Sequence, residues 1–143
     1  MVVRTPEQMA AFYEGREFPA NAVQAVQQAC FITFVVTNKQ EKQSLLLEPA
    51  SWRFLDQEGK IVKPLGRPYW DAVWQRLDIP LANRATFRWT QLPEQRNLFP
   101  GESVGGNVSI APVKGSLKLT AYFRVGDMRD RISVSIEGLQ CDE

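Results

Sequence analysis

The chain has 143 residues, of which 44% are hydrophobic, and its 17 basic and 16 acidic residues leave a formal charge of +1. This length suits one domain with a hydrophobic core, and the balanced charge excludes a general attraction to nucleic acid or to an anionic membrane. Histidine is absent, which excludes the commonest general base, the commonest zinc ligand and the nucleophile pairs that depend on histidine.

The N-terminal segment, 1–29, is predicted to be helical. Near its start, Thr5 can cap a helix, Pro6 suits the first helical position and Gln8 completes a capping box. The segment 18–29, "FPANAVQAVQQA", predicts a second short helix. Neither helix is strongly apolar, so we expect both to lie on the surface of a larger unit.

From Cys30 onward the pattern is typical of β-strands, because short runs of β-branched and aromatic residues alternate with polar turns. The predicted strands cover 30–37, 44–48, 52–56, 60–64, 86–92, 103–110, 116–125 and 131–137. In the strand over 116–125, apolar residues alternate with more polar neighbours, which is typical of a strand with one buried face. A charged hairpin turn is expected at 126–131.

One segment interrupts the β pattern. In "RPYWDAVWQRL", 67–77, the residues Trp70, Val73, Trp74 and Leu77 fall at i, i+3, i+4 and i+7. This spacing predicts a short amphipathic helix, which belongs to a helical insertion at about 66–85. Because the strands do not alternate regularly with helices, the chain as a whole predicts an antiparallel β-sandwich with helical additions.

The glycines of "LFPGESVGGNVSI", 98–110, have part of the spacing of a phosphate-binding loop. Gly101 and Gly106 match the two glycines of the G-x-x-x-x-G-K-[ST] motif, but Asn107 and Val108 stand where its lysine and hydroxyl are required. The alternating residues that follow predict a strand and not a helix. We therefore expect a turn at the first glycine and then a strand whose glycine pair permits a bulge or a close crossing of backbone.

Four stretches in this order resemble the immunoglobulin-like domains of bacterial envelope lipoproteins: "FVVTNKQEKQSLLLEP", "WRFLDQEGKIVKP", "LFPGESVGGNVSI" and "LKLTAYFRVG". The family pattern is a strand ending V-x-N, a Leu-rich strand, an aromatic strand closed by D-x-x-G, a P-G-E turn and a final pair of strands. The resemblance covers about 30–137. The whole chain, with "RTPEQMAAFYEGREFP" and "ATFRWTQLPEQRNLFPGE", is also similar to uncharacterised proteobacterial proteins that are usually predicted to carry a lipoprotein signal.

The resemblance implies a mainly β fold, an immunoglobulin-like antiparallel β-sandwich with N-terminal helices and one short helical insertion. The sandwich would occupy 30–137 of a single domain, 1–143. It also implies a processed lipoprotein in the periplasm or at the outer membrane, provided that a leader was removed, since the first residues contain no basic-then-apolar leader. Without such processing the protein would be cytoplasmic. The only membrane attachment that we expect is an N-terminal lipid anchor missing from this chain.

The insertion sets this chain apart from the smaller immunoglobulin-like domains. It concentrates arginine, tryptophan and tyrosine, the residue types enriched at binding hot spots. We predict a partner-binding surface there, formed by Arg67, Tyr69, Trp70, Trp74, Arg76 and Arg84, with Arg88 and Trp89 close behind. The alternative is that Trp70 and Trp74 seal one end of the sandwich while the arginines are solvated. Nucleic acid is not expected as a partner, because Asp71 and Asp78 offset the arginines.

The two cysteines leave two interpretations open. Cys30 lies in an apolar strand and Cys141 lies in the polar tail. They are either two free thiols or one disulfide that ties the tail to the first strand, and geometry decides between the two.

We predict a non-enzymatic cell-envelope protein that acts as a binding or protein-interaction module, with an envelope protein as its partner. We expect no catalytic residues, no metal site and no cofactor. One alternative is a cytoplasmic immunoglobulin-like inhibitor or adaptor. The other is a carboxylate-dependent hydrolase of cell-wall glycan, which would need a cleft that holds two carboxylates about 5–10 Å apart.

Overall fold

A computed structural model describes residues 1–127 and 130–141 of the chain. About 37% of the residues are in strands and about 29% are in helices, so the protein is mixed α/β with antiparallel sheets, and the expected mainly β composition underestimates the helices. The helices are α1 (Pro6–Glu14), α2 (Ala20–Gln27), α3 (Arg67–Arg76) and α4 (Leu81–Thr90). The strands are β1 (Val2–Arg4), β2 (Cys30–Thr37), β3 (Leu45–Leu47), β4 (Arg53–Leu55), β5 (Ile61–Val62), β6 (Arg96–Leu98), β7 (Ser103–Ile110), β8 (Ser116–Val125) and β9 (Asp130–Gln140).

Helix α1 begins as its sequence predicts. The backbone N–H of Gln8 donates to Thr5 Oγ1 at 3.1 Å, and the backbone N–H of Thr5 donates to Gln8 Oε1 at 2.9 Å. Pro6 occupies the first helical position, where its missing N–H costs nothing. This capping box satisfies two backbone donors that would otherwise be unpaired.

The strands form a small sheet and a large sheet. The small sheet has the order β1–β2–β7, and the large sheet has the order β5–β4–β8–β3–β6 with β9 also paired to β8. Strands β3 and β4 pair with successive parts of β8, opposite Phe123–Val125 and Lys118–Thr120 respectively. Because β9 pairs along β8 from Ser116 to Val125, β9 lies on the other side of β8 and forms an edge of the large sheet.

Strand β2 separates two hydrophobic cores. Ile32 and Phe34 point into the core between the two sheets. Phe31, on the opposite face of β2, packs with the buried residues of the four helices. The helices therefore cover the outer face of the small sheet, and the N-terminal helices belong to the same packed unit as the sheets.

Helix α4 corrects a sequence prediction. The stretch 86–92 was expected to be a strand, but residues 81–90 form a helix and the helical insertion continues beyond 85. Phe87 supplies the reason, because its ring lies 5.0 Å from the rings of both Trp70 and Trp74 and is buried only when the segment is helical. Tertiary packing outweighs the β-propensity of the local residues here. The short strands β1 and β6 were not predicted.

The glycine-containing segment after β6 forms a turn and a strand, as expected. Gly101 has a φ of +83°, in the region that favours glycine, and β7 follows from Ser103. Gly106 lies against the backbone of Gln91 and Leu92, where a Cβ atom would come within 2.6 Å of Leu92 N. The glycine permits the segment after α4 to cross β7 closely, with Leu92 N–H donating to the Asn107 carbonyl at 3.0 Å.

Cys30 and Cys141 form a disulfide; they are 111 positions apart in sequence, and their Cα atoms are 5.7 Å apart. The bond joins the first residue of β2, in the small sheet, to the residue after β9, in the large sheet. The sequence left open two free thiols or one disulfide, and the structure contains the disulfide. In the predicted turn at 126–131, residues 128 and 129 lie outside the described residues. Strand β9 begins at Asp130, within the predicted range, and Asp130 pairs with Val125 of β8.

Candidate functional site

The helical insertion borders a cleft of about 610 Å³, which we call the insertion cleft. It lies between α3, α4, the segment 91–95 and β7. Its lining includes Arg67, Trp70, Trp74, Arg84, Arg88 and Glu94. Four of the six residues predicted for the partner-binding surface therefore border one concave surface, while Tyr69 and Arg76 are exposed outside it.

Trp70 and Trp74 are core residues. They expose only 3% and 1% of their surfaces, and their stacked rings lie 5.3 Å apart. Trp70 Nε1 donates a hydrogen bond to Ser109 Oγ at 2.9 Å, which ties α3 to β7. For these two side chains the burial fits the alternative of a core role, because the apolar stripe of α3 must be buried, but they pack among the helices over the small sheet and not at an end of the sandwich.

The arginines of the predicted surface have different partners. Arg67 forms ion pairs with Asp71 at 3.4 Å and with Glu94 at 3.2 Å, and all three side chains are well exposed. Arg84 points inward, where its Nε donates to the Ile79 carbonyl at 2.7 Å and an Nη donates to the Trp74 carbonyl at 3.3 Å. Arg84 therefore stabilises the end of α3 and the turn into α4 while it borders the insertion cleft.

The most exposed aromatic side chain of this region is Trp89, which the sequence places close behind the six residues of the predicted surface. Trp89 exposes 87% of its surface, and Leu81, on the same side of α4, exposes 78%. Leu81, Ala85 and Trp89 fall at i, i+4 and i+8, and Arg88 lies beside them. We call these four residues the α4 face. Their helical spacing is visible in the sequence, but the assignment of 86–92 to a strand concealed it.

The acidic residues of the insertion cleft are Glu48, Asp71 and Glu94. Asp71 and Glu94 are more than half exposed and share Arg67 as their ion-pair partner. A general acid in a glycosidase is typically a buried carboxyl, and neither of these side chains is buried. Within residues 1–127 and 130–141, no three His, Cys, Asp or Glu side chains are grouped so as to hold a metal ion.

Tyr13 lies beneath the helices and is fully buried. Its hydroxyl lies 2.7 Å from Thr90 Oγ1, and burial raises the pKa of this phenol to about 12, against the lowering effect of its hydrogen bonds to Thr90, Asn107 and Gln91. A phenol with so high a pKa stays neutral across the physiological range and acts as a hydrogen-bond donor. Tyr13 therefore has a structural role, which is to join α1 to the end of α4.

No described helix combines the length and the apolar character that crossing a membrane would require. Comparison of the chain with models of protein families, with curated proteins and with solved structures found no match.

Proposed function

We propose that this chain is a non-enzymatic binding module of the bacterial cell envelope, built on an immunoglobulin-like β-sandwich, and that it binds a protein partner through the α4 face. The observation that carries the proposal is the exposure of Trp89 and Leu81 on a helix whose other side is anchored in the core by Phe87. Large apolar side chains held on a rigid element are typical of interface anchors, since little conformational entropy is lost when they bind.

The chemistry of the α4 face indicates the kind of partner. Helix α4 contains Arg84 and Arg88 and no acidic residue. Arg84 is turned inward, so Arg88 is the charge that α4 presents beside Trp89. A protein surface with an apolar pocket for the indole and a carboxylate nearby complements this arrangement.

Two arguments support a location in the envelope. Disulfides persist in the oxidising periplasm and are rare in the cytosol, and the chain contains the disulfide between Cys30 and Cys141. The resemblance to envelope lipoproteins implies the same compartment. The mass of the N-terminal peptide of the natural protein, isolated from its own cells, tests this: a lipid-modified cysteine or a cut leader supports the envelope, and an unprocessed Met1 favours the cytoplasmic adaptor.

Hydrolysis of cell-wall glycan has weaker support. The insertion cleft holds carboxylates, but Asp71 and Glu94 are exposed and paired to Arg67. Release of reducing ends from purified peptidoglycan measures the activity directly. We expect none, and release that disappears in both Asp71→Asn and Glu94→Gln would favour the hydrolase instead.

Site-specific photo-crosslinking in the native cell tests the α4 face. A photoreactive amino acid at position 81 is expected to give discrete crosslinked species that are lost when Trp89→Ala or Arg88→Glu is added. The matched control carries the photoreactive group at Phe99, which is exposed but lies outside α4. Equal crosslinking from positions 81 and 99, or crosslinking from position 81 that survives both substitutions in a folded protein, would count against the proposal.

A further inference from the structure

A second concave surface lies between the edges of the two sheets. This groove, of about 810 Å³, is bordered on one side by the second half of β2 and on the other by β9. Core residues of the large sheet, including Trp52, Leu119 and Phe123, form its floor. We call it the edge groove. It is separate from the insertion cleft, with which it shares no lining residue.

Both sides of the edge groove are unpaired strand edges within the described residues. Strand β1 pairs with β2 only at Phe31, Ile32 and Thr33, whereas β7 pairs along the other side of β2 as far as Thr37. Residues 34–37 therefore have no strand neighbour on the side of β1. Strand β9 pairs with β8 alone, which leaves its outer edge open. Such edges present backbone donors and acceptors that can pair with another strand.

The side chains along these edges alternate with the period of a β-strand. On β2, Phe34 and Val36 face the core while Val35 exposes 70% of its surface on the other side. On β9, the apolar residues that line the groove are Ile132, Val134 and Ile136, at i, i+2 and i+4, and the first two are exposed. Apolar side chains between two open edges form a site for side chains that recur at every second position.

The disulfide ties the two walls of the groove together at one end. Cys30 at the start of β2 is bonded to Cys141 after the end of β9, so the two strands lie together at that end of the molecule. Further along, the same two strands form the opposite walls of the groove. The groove therefore lies at the ends of β2 and β9 that are away from the disulfide.

We propose that the edge groove binds one extended segment of another protein by strand addition to β2. The pairing of β1 with β2 indicates the direction in which the segment binds, because Val2 lies opposite Thr33 and Val3 lies opposite Ile32 in antiparallel register. Met1, which precedes Val2, borders the groove at the end of β1, so a strand that continues this register beyond Met1 faces residues 35–37 of β2, a length of roughly 10 Å at about 3.3 Å per residue. Alternate side chains of the segment enter the gap between the sheets, so the segment is apolar at every second position.

The charges at the end of the groove add to this description of the partner. The loop after β2 lines the groove with Lys39 and Lys42 and with one acidic residue, Glu41. An acidic residue that flanks the apolar segment complements the excess of positive charge. A second copy of this chain fits less well, because β2 and β9 are each held along their length in their own sheets and neither can enter the gap.

Selection from a displayed library of random 12-residue peptides tests the proposal with purified protein whose disulfide is intact. We expect enriched sequences to carry apolar residues at every second position with an acidic residue beside them. Synthetic copies should bind one per chain, at least tenfold more tightly than versions of the same composition with the apolar residues made consecutive. Failure to enrich any peptide, or enrichment without the alternation, would overturn the proposal.

Substitutions on β9 locate the binding site. Val134→Arg, which places a charge in the groove, should weaken binding of the synthetic peptide at least tenfold. Ser133→Arg is the matched control, because its side chain lies on the opposite face of the same strand, and it should bind as the wild type does. Thermal unfolding must show both variants folded. Equal affinities for the two variants would contradict the proposed site.

Methylation of peptide nitrogens tests strand addition itself. N-methyl groups at alternate positions in one register remove the donors that face β2 and should abolish binding, whereas N-methyl groups in the other register should be tolerated. Loss in both registers would contradict edge pairing. Trp89→Ala should leave peptide affinity unchanged, so the proposal for the edge groove is tested independently of the proposal for the α4 face. Concentration-dependent dimerisation that Val134→Arg abolishes would instead assign the groove to a second copy.

Discussion

The Tyr13 hydroxyl lies 2.7 Å from Thr90 Oγ1, across 77 positions of sequence. The single hydroxyl proton of Thr90 is donated to the Phe87 carbonyl at 2.6 Å, so Tyr13 is the donor and Thr90 the acceptor. This hydrogen bond joins the N-terminal helix to the last residue of α4. It makes α4, and with it the orientation of Trp89, depend on a residue far away in the chain.

The buried phenol predicts a loss of stability at high pH. Because burial raises the pKa of Tyr13 from 10.0 to about 12, the folded state keeps the proton while the unfolded state releases it. The free energy of unfolding is unaffected by this group below pH 10 and falls as the pH rises from 10 to 12. The total loss approaches about 3 kcal/mol. Urea unfolding of the wild type between these pH values should show this decline.

Tyr13→Phe provides the control for the pH effect. The variant should lose about 1 kcal/mol at neutral pH, since one buried hydrogen bond is missing. Its free energy of unfolding should then fall less steeply than that of the wild type above pH 10, because the phenol of Tyr13 is absent. Parallel declines in the two proteins would show that Tyr13 ionises as readily in the folded state as in the unfolded state.

The close crossing at Gly106 predicts that a single methyl group disturbs β7. A Cβ atom there would lie 2.6 Å from Leu92 N, 2.7 Å from Gln91 C and 2.9 Å from Gln91 O, all of them backbone atoms. Gly106→Ala should therefore lower the free energy of unfolding by about 2 kcal/mol or more, in the range of overpacking substitutions. Gly105→Ala is the matched control, because its Cβ would meet no atom closer than 3.5 Å. Chemical denaturation that finds the two variants equally stable would contradict this account.

The disulfide predicts a stability difference between redox states. Because Cys30 and Cys141 are 111 positions apart, the bond closes most of the chain into one loop. Restriction of the unfolded chain should contribute about 2–5 kcal/mol. The double variant Cys30→Ser, Cys141→Ser and the reduced wild type should both unfold at lower urea concentration than the oxidised wild type. Thiol labelling of protein denatured directly from its cells should find neither cysteine reactive, and labelling of both would contradict the oxidised state.

The tryptophans of the insertion region predict two opposite outcomes. Trp74→Ala removes a side chain that is 1% exposed and should lower the free energy of unfolding by about 3–5 kcal/mol. Trp89→Ala removes a side chain that is 87% exposed and should change it by about 0.5 kcal/mol or less. The two variants serve as controls for each other in thermal unfolding. A large loss for Trp89→Ala would mean that its role is structural and not that of a contact residue.

The sequence alone determined the elements whose signals are local. Thr5 and Gln8 make their capping hydrogen bonds within one turn of helix, so α1 could be predicted from neighbouring residues. Strand β8 follows from residues that alternate over a long enough stretch to define one buried face. The stripe of α3 predicted its helix, but it left open whether the tryptophans are buried or form a binding surface.

Only the tertiary structure decided the features that depend on distant partners. Residues 86–90 favour a strand locally, but they are helical because Phe87 and Tyr13 meet in one core. The disulfide forms because the sheets bring Cys30 beside Cys141. The α4 face and the edge groove also depend on segments that are far apart in the chain. The packing of the helices on the small sheet leaves Trp89 exposed, and the strand order places β2 and β9 in different sheets.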